Sequence, residues 1–257
     1  GNTYALGAIA IDTTGTTTFS STVNAASLTT NTGGTTSLGG NVTTTGNQSY
    51  GDAVVLVANV ILDASSITTS NTIAAANYNF TLITDTLALG AAVNGGTGTI
   101  TIKPHSASTT IGLGNSSTGT LNLTNTELGY INTAGNNFAS IVIGDAVNGT
   151  GAISYKPGST ISFGSNLTLQ QKATGAGITL SNSITTTGSQ TYTGAVTLGA
   201  DLTLTTSNGA VLFSSTVDNN TATPRALTVS AGSGNVTFTG AVGSGANGDL
   251  GAMIVNS

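Results

Sequence analysis

The chain alternates. Thr99-Ile100-Thr101-Ile102-Lys103 places apolar side chains at every second position, as do Thr120-Leu121-Asn122-Leu123-Thr124, Asn166-Leu167-Thr168-Leu169 and Asp201-Leu202-Thr203-Leu204-Thr205. A period of two puts one face of a strand in a core and the other in solvent. Sustained 3.6-residue periodicity is absent, and the glycine and threonine content weakens any helix. Between the alternating runs stand turn dipeptides: Gly33-Gly34, Gly39-Gly40, Asn94-Gly95, Asn148-Gly149, Asn208-Gly209 and Asn247-Gly248. Asn and Gly tolerate the positive φ of sharp corners. The pattern predicts many short strands joined by tight turns.

The strands repeat. Residues 38–62 and 180–204 align without gaps with 12 of 25 positions identical. The shared frame is Leu, then Val or Ile, then Thr-Thr-Thr-Gly-x-Gln-[Ser/Thr]-Tyr, then Ala-Val. Matches at Leu38/Leu180, Gln48/Gln190, Tyr50/Tyr192 and Leu62/Leu204 fall outside the abundant Thr and Gly that would match by composition alone. An aromatic residue followed four positions later by Val occurs at Phe19/Val23, Tyr50/Val54, Tyr192/Val196, Phe213/Val217 and Phe238/Val242. One such unit cannot bury its apolar face, whereas stacked units can, each strand pairing in parallel with its equivalents about 4.8 Å above and below. The expected fold is therefore an all-β, right-handed parallel β-helix. With about 22 residues per coil, residues 1–257 would form one continuous solenoid of roughly 10–12 coils. Phe19, Tyr50, Tyr192, Phe213 and Phe238 are expected to point inward at equivalent positions, as a structural core ladder.

Composition narrows the function. Only 5% of residues are charged, yet 38% are hydrophobic, enough to build a core and too many for a disordered polar tract. The net charge of −5 excludes the clustered basic surface that nucleic acid requires. No apolar run reaches the roughly 18 residues of a membrane helix, Ala53–Leu62 being the longest, so no membrane insertion is expected. Without cysteine there is neither a disulfide framework nor a thiolate metal site.

Three stretches resemble the repeat region of bacterial filamentous haemagglutinin-type adhesins, secreted by the two-partner route. Thr109-Thr110-Ile111-Gly112-Leu113-Gly114, Thr118–Leu123, Leu123–Ile131 and Ile141–Asp145 follow one frame of that family. Ala222-Thr223-Pro224-Arg225-Ala226-Leu227-Thr228-Val229 with Val236–Gly243 follows a second, and the Thr-Thr-Thr-Gly-x-Gln-x-Tyr module is similar to a third. The resemblance implies a right-handed parallel β-helix, export across an outer membrane, and a secreted, cell-surface or biofilm-matrix role. Adhesion to a surface or matrix ligand would then be the activity.

Chemistry-bearing residues are sparse. His105 is the sole histidine, beside Lys103 and Pro104. An enzyme of the polysaccharide-active β-helix type would pair it, or Lys103, with an acid one coil away; a charged loop at a Pro104 corner accounts for it more simply. The acids (eight Asp and Glu127) show neither a marked carboxylate pair nor a calcium-loop pattern. No catalytic, cofactor-binding or metal-ligating residue is assigned. Glu127 is expected to cap a turn or accept backbone amides. The sequons at Asn41, Asn79, Asn166 and Asn235 are common in such a composition. The runs Thr16–Thr18, Thr43–Thr45 and Thr185–Thr187 could form hydroxyl arrays of the kind that ice-binding solenoids carry. Threonine's fitness for exposed strands explains them without that.

Both ends, Thr3–Ile11 and Gly251–Ser257, read as strand. The solenoid is therefore expected to be a segment of a longer chain or filament, continuing covalently or stacking end to end on itself. A structural or adhesive extracellular rod is the leading expectation. A self-assembling fibre or sheath subunit comes second, and a polysaccharide-active enzyme third.

Overall fold

The computed structural model describes residues 6–132, 138–219, 221–245 and 248–257. The start of the strand expected at Thr3–Ile11, and Asn247 of one expected turn, lie outside the described residues. The chain divides into two compact units, residues 1–106 with 126–139, and residues 107–125 with 140–257.

The first unit is built from three parallel ladders visited in a fixed order. Ladder I holds the start of Val23–Thr30, then Val42–Thr44, Val60–Asp63, Phe80–Ile83 and Thr99–Lys103. Ladder II holds Leu6–Ile11, the end of Val23–Thr30, Gln48–Tyr50, Ser66–Thr69 and Thr86–Leu89. Ladder III holds Thr16–Phe19, Thr35–Leu38, Ala53–Leu56, Ile73–Ala74 and Val93–Asn94. Phe80 lies between Val60 and Ile100, an offset of 20 residues each way, while Thr35 lies 18 residues from Ala53. These turns are shorter than the expected 22. Corners here are only a few residues long, which paired dipeptides and outward Asn side chains make possible.

The second unit repeats the scheme with longer turns. Ladder IV runs Ser140–Asp145, Asn166–Gln171, Gln190–Thr193, Val211–Phe213 and Val236–Phe238. Ladder V runs Leu121–Leu123, Ile111–Leu113, Ile153–Tyr155, Ile178–Leu180, Val196–Leu198 and Val217–Asn219. Ladder VI runs Ile161–Phe163, Ile184–Thr186, Leu202–Thr206, Leu227–Ser230 and Met253–Asn256. Offsets range from 18 residues, at Ile178 and Val196, to 26, at Leu227 and Met253. The architecture is thus all-β, with parallel strands in stacked sheets, compatible with a β-solenoid.

Alternation creates the core. Along ladder II the inward column is Leu28, Gln48, Ile67 and Leu87, all buried, while Thr29, Ser49, Thr68 and Ala88 face outward. Each buried Leu or Ile contributes about 1.5–3 kcal/mol relative to an exposed one. Two corner residues adopt the left-handed backbone that the turn dipeptides foretell, Gly33 at φ 110° and Asn208 at φ 67°.

The helix Asn125–Tyr130 departs from the strand-only pattern. Its start carries Thr124-x-x-Glu127, the spacing of a capping box. Leu128, Ile131 and Phe138, all in the first unit, are fully buried. The Phe138 ring lies so close over Gly95 that a Cβ there would come within 2.1 Å of it.

Candidate functional site

The repeated Thr-Thr-Thr-Gly-x-Gln-x-Tyr module builds a buried polar clip, twice. In the first unit the Gln48 Nε2 donates to the carbonyls of Val42 and Asp63, both at 3.0 Å, and Tyr50 Oη donates to Gln48 Oε1 at 2.9 Å. In the second, Gln190 Nε2 donates to Ile184 O at 3.3 Å and Thr205 O at 2.9 Å, and Tyr192 Oη donates to Gln190 Oε1 at 2.7 Å. The corner threonine takes part in both. Thr44 Oγ1 donates to Gly46 O at 2.9 Å, and Thr186 Oγ1 to Gly188 O at 2.6 Å. Both glutamines and both tyrosines are buried. A buried amide must be paired, and here it ties a strand start to the strand one level on. Burial holds the Tyr50 hydroxyl well above its ordinary pKa range. Burial does the same at Tyr192, with a smaller push from Tyr155. These groups are structural: none reaches a cleft.

The five aromatic positions do not occupy one equivalent column. Tyr192, Phe213 and Phe238 stack in ladder IV, with centroids 5.0 Å and 4.8 Å apart and planes within 14° and 6°. In-register parallel pairing imposes that spacing. Tyr50 sits in ladder II between Thr30 and Thr69, and Phe19 sits in ladder III opposite Leu38. Tyr50, Tyr192 and Phe213 are fully buried, while Phe19 and Phe238 are half-buried. The aromatic-x-x-x-Val spacing marks a strand, a turn and the next strand, so it arises at any corner of the coil rather than at one.

The charged residues hold corners. His105 Nδ1 lies 2.8 Å from Asp63 Oδ1, with side chains 43% and 28% exposed. Next to it, Ser106 donates its amide and hydroxyl to the two Asp85 oxygens at 2.8 and 2.5 Å. Together they fasten the loop after Lys103 onto two earlier levels. Asp52, fully buried, accepts the Gly34 amide at 2.7 Å and the Thr36 hydroxyl at 3.2 Å. Asp145, Asp201 and Asp218 likewise accept backbone amides. Glu127 Oε1 accepts the Leu89 amide at 3.0 Å, at an edge strand of ladder II. Among the described residues no group of three or more His, Asp or Glu side chains is placed to hold a metal ion, and no helix is long and apolar enough to cross a membrane.

Asparagines do the same work without charge. Asn41, Asn59 and Asn79 accept, through Oδ1, the amides of Ile61, Asn79 and Thr99, each at 2.9 Å and one level on. Asn166 accepts the Ser189 amide at 2.8 Å and Asn208 the Ser233 amide at 3.0 Å. The sequons follow from this arrangement. Asn stands at the corner, the next residue points inward and the Thr after it points outward, which spells Asn-x-Thr. The near 20-residue spacing of these asparagines was a usable signal in the sequence. The role of Gln48 and Gln190 left a fainter one, an amide repeated within an otherwise apolar column.

The second unit also carries an open groove of about 500 Å³, lined by Thr110, Thr118, Gly119, Thr120, Ala152 and Ser154. Its walls offer hydroxyls and no charge, so it has no general acid, base or nucleophile-activating group. No family model, no curated protein and no solved structure matches the chain.

Proposed function

We propose that each unit is a stretch of right-handed parallel β-helix, and that the protein is a structural, adhesive segment of a secreted bacterial surface or matrix protein. The handedness follows the strong preference of parallel crossovers. Successive levels of about 18–26 residues, as between Ile178 and Val196 or Leu227 and Met253, fit ten to twelve coils over the whole chain. The observation that carries the functional reading is the use made of polar groups. Carboxylates, amides and hydroxyls are spent on bracing one level against the next, and they do not converge on a cleft. Such a molecule presents a long, sparsely charged, hydroxyl-rich surface, suited to being a scaffold and contact surface rather than a catalyst. The resemblance to filamentous haemagglutinin-type repeats supports the same role.

Antibody labelling of intact producing cells, with adhesion assays on surfaces coated with the purified chain, tests this. Label on the cell exterior or in the matrix, together with cell adhesion above that of an inert coating, is the expected result. Label confined to the cell interior overturns the reading. So does turnover of a polysaccharide that disappears when one carboxylate is replaced.

A further inference from the structure

Ladder VI differs from the other five on its outward face. Ser162, Thr185, Thr205 and Ser230 are paired neighbours on successive strands and form one column. Two residues earlier on the same strands stand Thr160, Ser183, Thr203 and Thr228, the last two also register partners. Between the columns, Ile161, Ile184, Leu204 and Val229 turn inward. Four successive levels thus each display a [Ser/Thr]-x-[Ser/Thr] pair, half-exposed or exposed. No charged side chain and no aromatic ring stands in either column. Ile254 and Asn256 end the pattern at the fifth strand.

Composition alone does not produce this. The outward column of ladder V passes from Ser154, Thr179 and Thr197 to Asp218. Ladder IV interrupts Thr168 and Thr191 with Val142 and Leu212. Ladder I places Ile61 and Asp63 outward, and ladder II ends on Ala88.

The double column has a definite lattice. Rungs lie about 4.8 Å apart, and residues i and i+2 lie about 6.6 Å apart along a strand. In a tetrahedral water network with O–H···O bonds of about 2.75 Å, oxygens two bonds apart lie about 4.5 Å from one another. The repeat along the stacking axis of ice is eight-thirds of that bond, about 7.3 Å. The mismatch of about 0.3 Å per rung accumulates to roughly 1 Å over four levels. Centred, that is about 0.5 Å at each end, comparable with the spread of O–H···O lengths. Ser183 is also fixed in place: its Oγ accepts the Thr203 amide at 2.9 Å, leaving its proton to donate outward. An ice surface is neutral and presents alternating donors and acceptors, which a charge-free hydroxyl face complements. A sugar polymer would ask for an aromatic platform, and a mineral or nucleic acid for charge; the face has neither.

We infer that the outward face of ladder VI is an ice-binding face, the paired Ser/Thr columns ordering water in register with the ice lattice. This stands apart from the proposed surface role. The test is thermal hysteresis and partitioning into a growing ice hemisphere with the purified chain, alongside Thr205→Lys and Thr185→Lys at the centre of the face and Thr68→Lys on ladder II. Far-ultraviolet circular dichroism and thermal melts establish that each variant folds. The expected result is enrichment in ice and a gap between melting and freezing points for the parent chain and Thr68→Lys, lost in both ladder VI variants. Exclusion of the parent chain from ice overturns the inference. Equal loss in Thr68→Lys overturns it too, as does binding to crystalline cellulose or chitin without binding to ice.

Discussion

At the scale of single residues, the recurring device is an inward polar group fully enclosed by its own hydrogen bonds. Gln190 is the clearest case. Replacing it with Leu leaves Ile184 O, Thr205 O and the Tyr192 hydroxyl without their partner in a buried site. Each such orphan costs about 1–3 kcal/mol, and part of that is recovered by the apolar side chain. Gln190→Leu is therefore expected to lower stability by about 2–4 kcal/mol in urea unfolding, with Gln48→Leu behaving alike. No loss in either variant would show that the clip is decoration. The opposite sign is expected one residue type away. The hydroxyls of Thr30 and Thr69 are buried without a partner, on either side of Tyr50. Thr69→Val removes the burden of an unpaired hydroxyl and keeps the shape, so it should raise stability by about 1 kcal/mol. The sequence announced where these residues stand, because the module is repeated. It did not announce their bonds, because a glutamine in an inward column looks the same whether it is paired or not.

At the scale of elements, strands were legible and corners less so. Alternation placed Thr99–Lys103, Leu121–Leu123 and Leu202–Thr206 where the structure has them. The coil length was set too long for the first unit, since nothing in the strand pattern says how few residues a corner needs once an Asn side chain bridges it. The helix Asn125–Tyr130 was hidden for a related reason: six residues are too few for a helical period, and only the Thr124-x-x-Glu127 start marks it. Its consequence is local. Thr86–Leu89 is an edge strand, and the Glu127 carboxylate takes the Leu89 amide that would otherwise face outward unpaired. Edge amides left open invite fraying or pairing with another chain. Glu127→Ala is thus expected to speed hydrogen exchange at Leu89 at least several-fold while amides in Phe80–Ile83 keep their protection. Unchanged exchange at Leu89 would remove the capping role.

At the scale of the whole molecule, the scarcity of charge leaves few groups through which pH can act, and the buried tyrosines stand out among them. Tyr50 and Tyr192 are fully enclosed, and burial holds both hydroxyls above the ordinary value near 10. The sign follows from linkage. A group whose folded pKa is raised binds its proton more tightly when folded, so the stability it contributes is fully present below the unfolded value of about 10. Above that pH the unfolded chain releases the proton and the folded chain does not. Stability then falls by about 1.4 kcal/mol per pH unit for each such tyrosine until the folded value is reached. Denaturant midpoints should accordingly be level between about pH 7 and pH 9, then drop steeply above about pH 10. Tyr192→Phe removes one titrating group at the cost of the hydrogen bond to Gln190 Oε1. It should therefore be less stable than the parent at neutral pH, yet lose stability with a shallower slope in alkali, so that the two curves converge. Parallel curves for parent and variant would show that the alkaline loss comes from elsewhere in the chain.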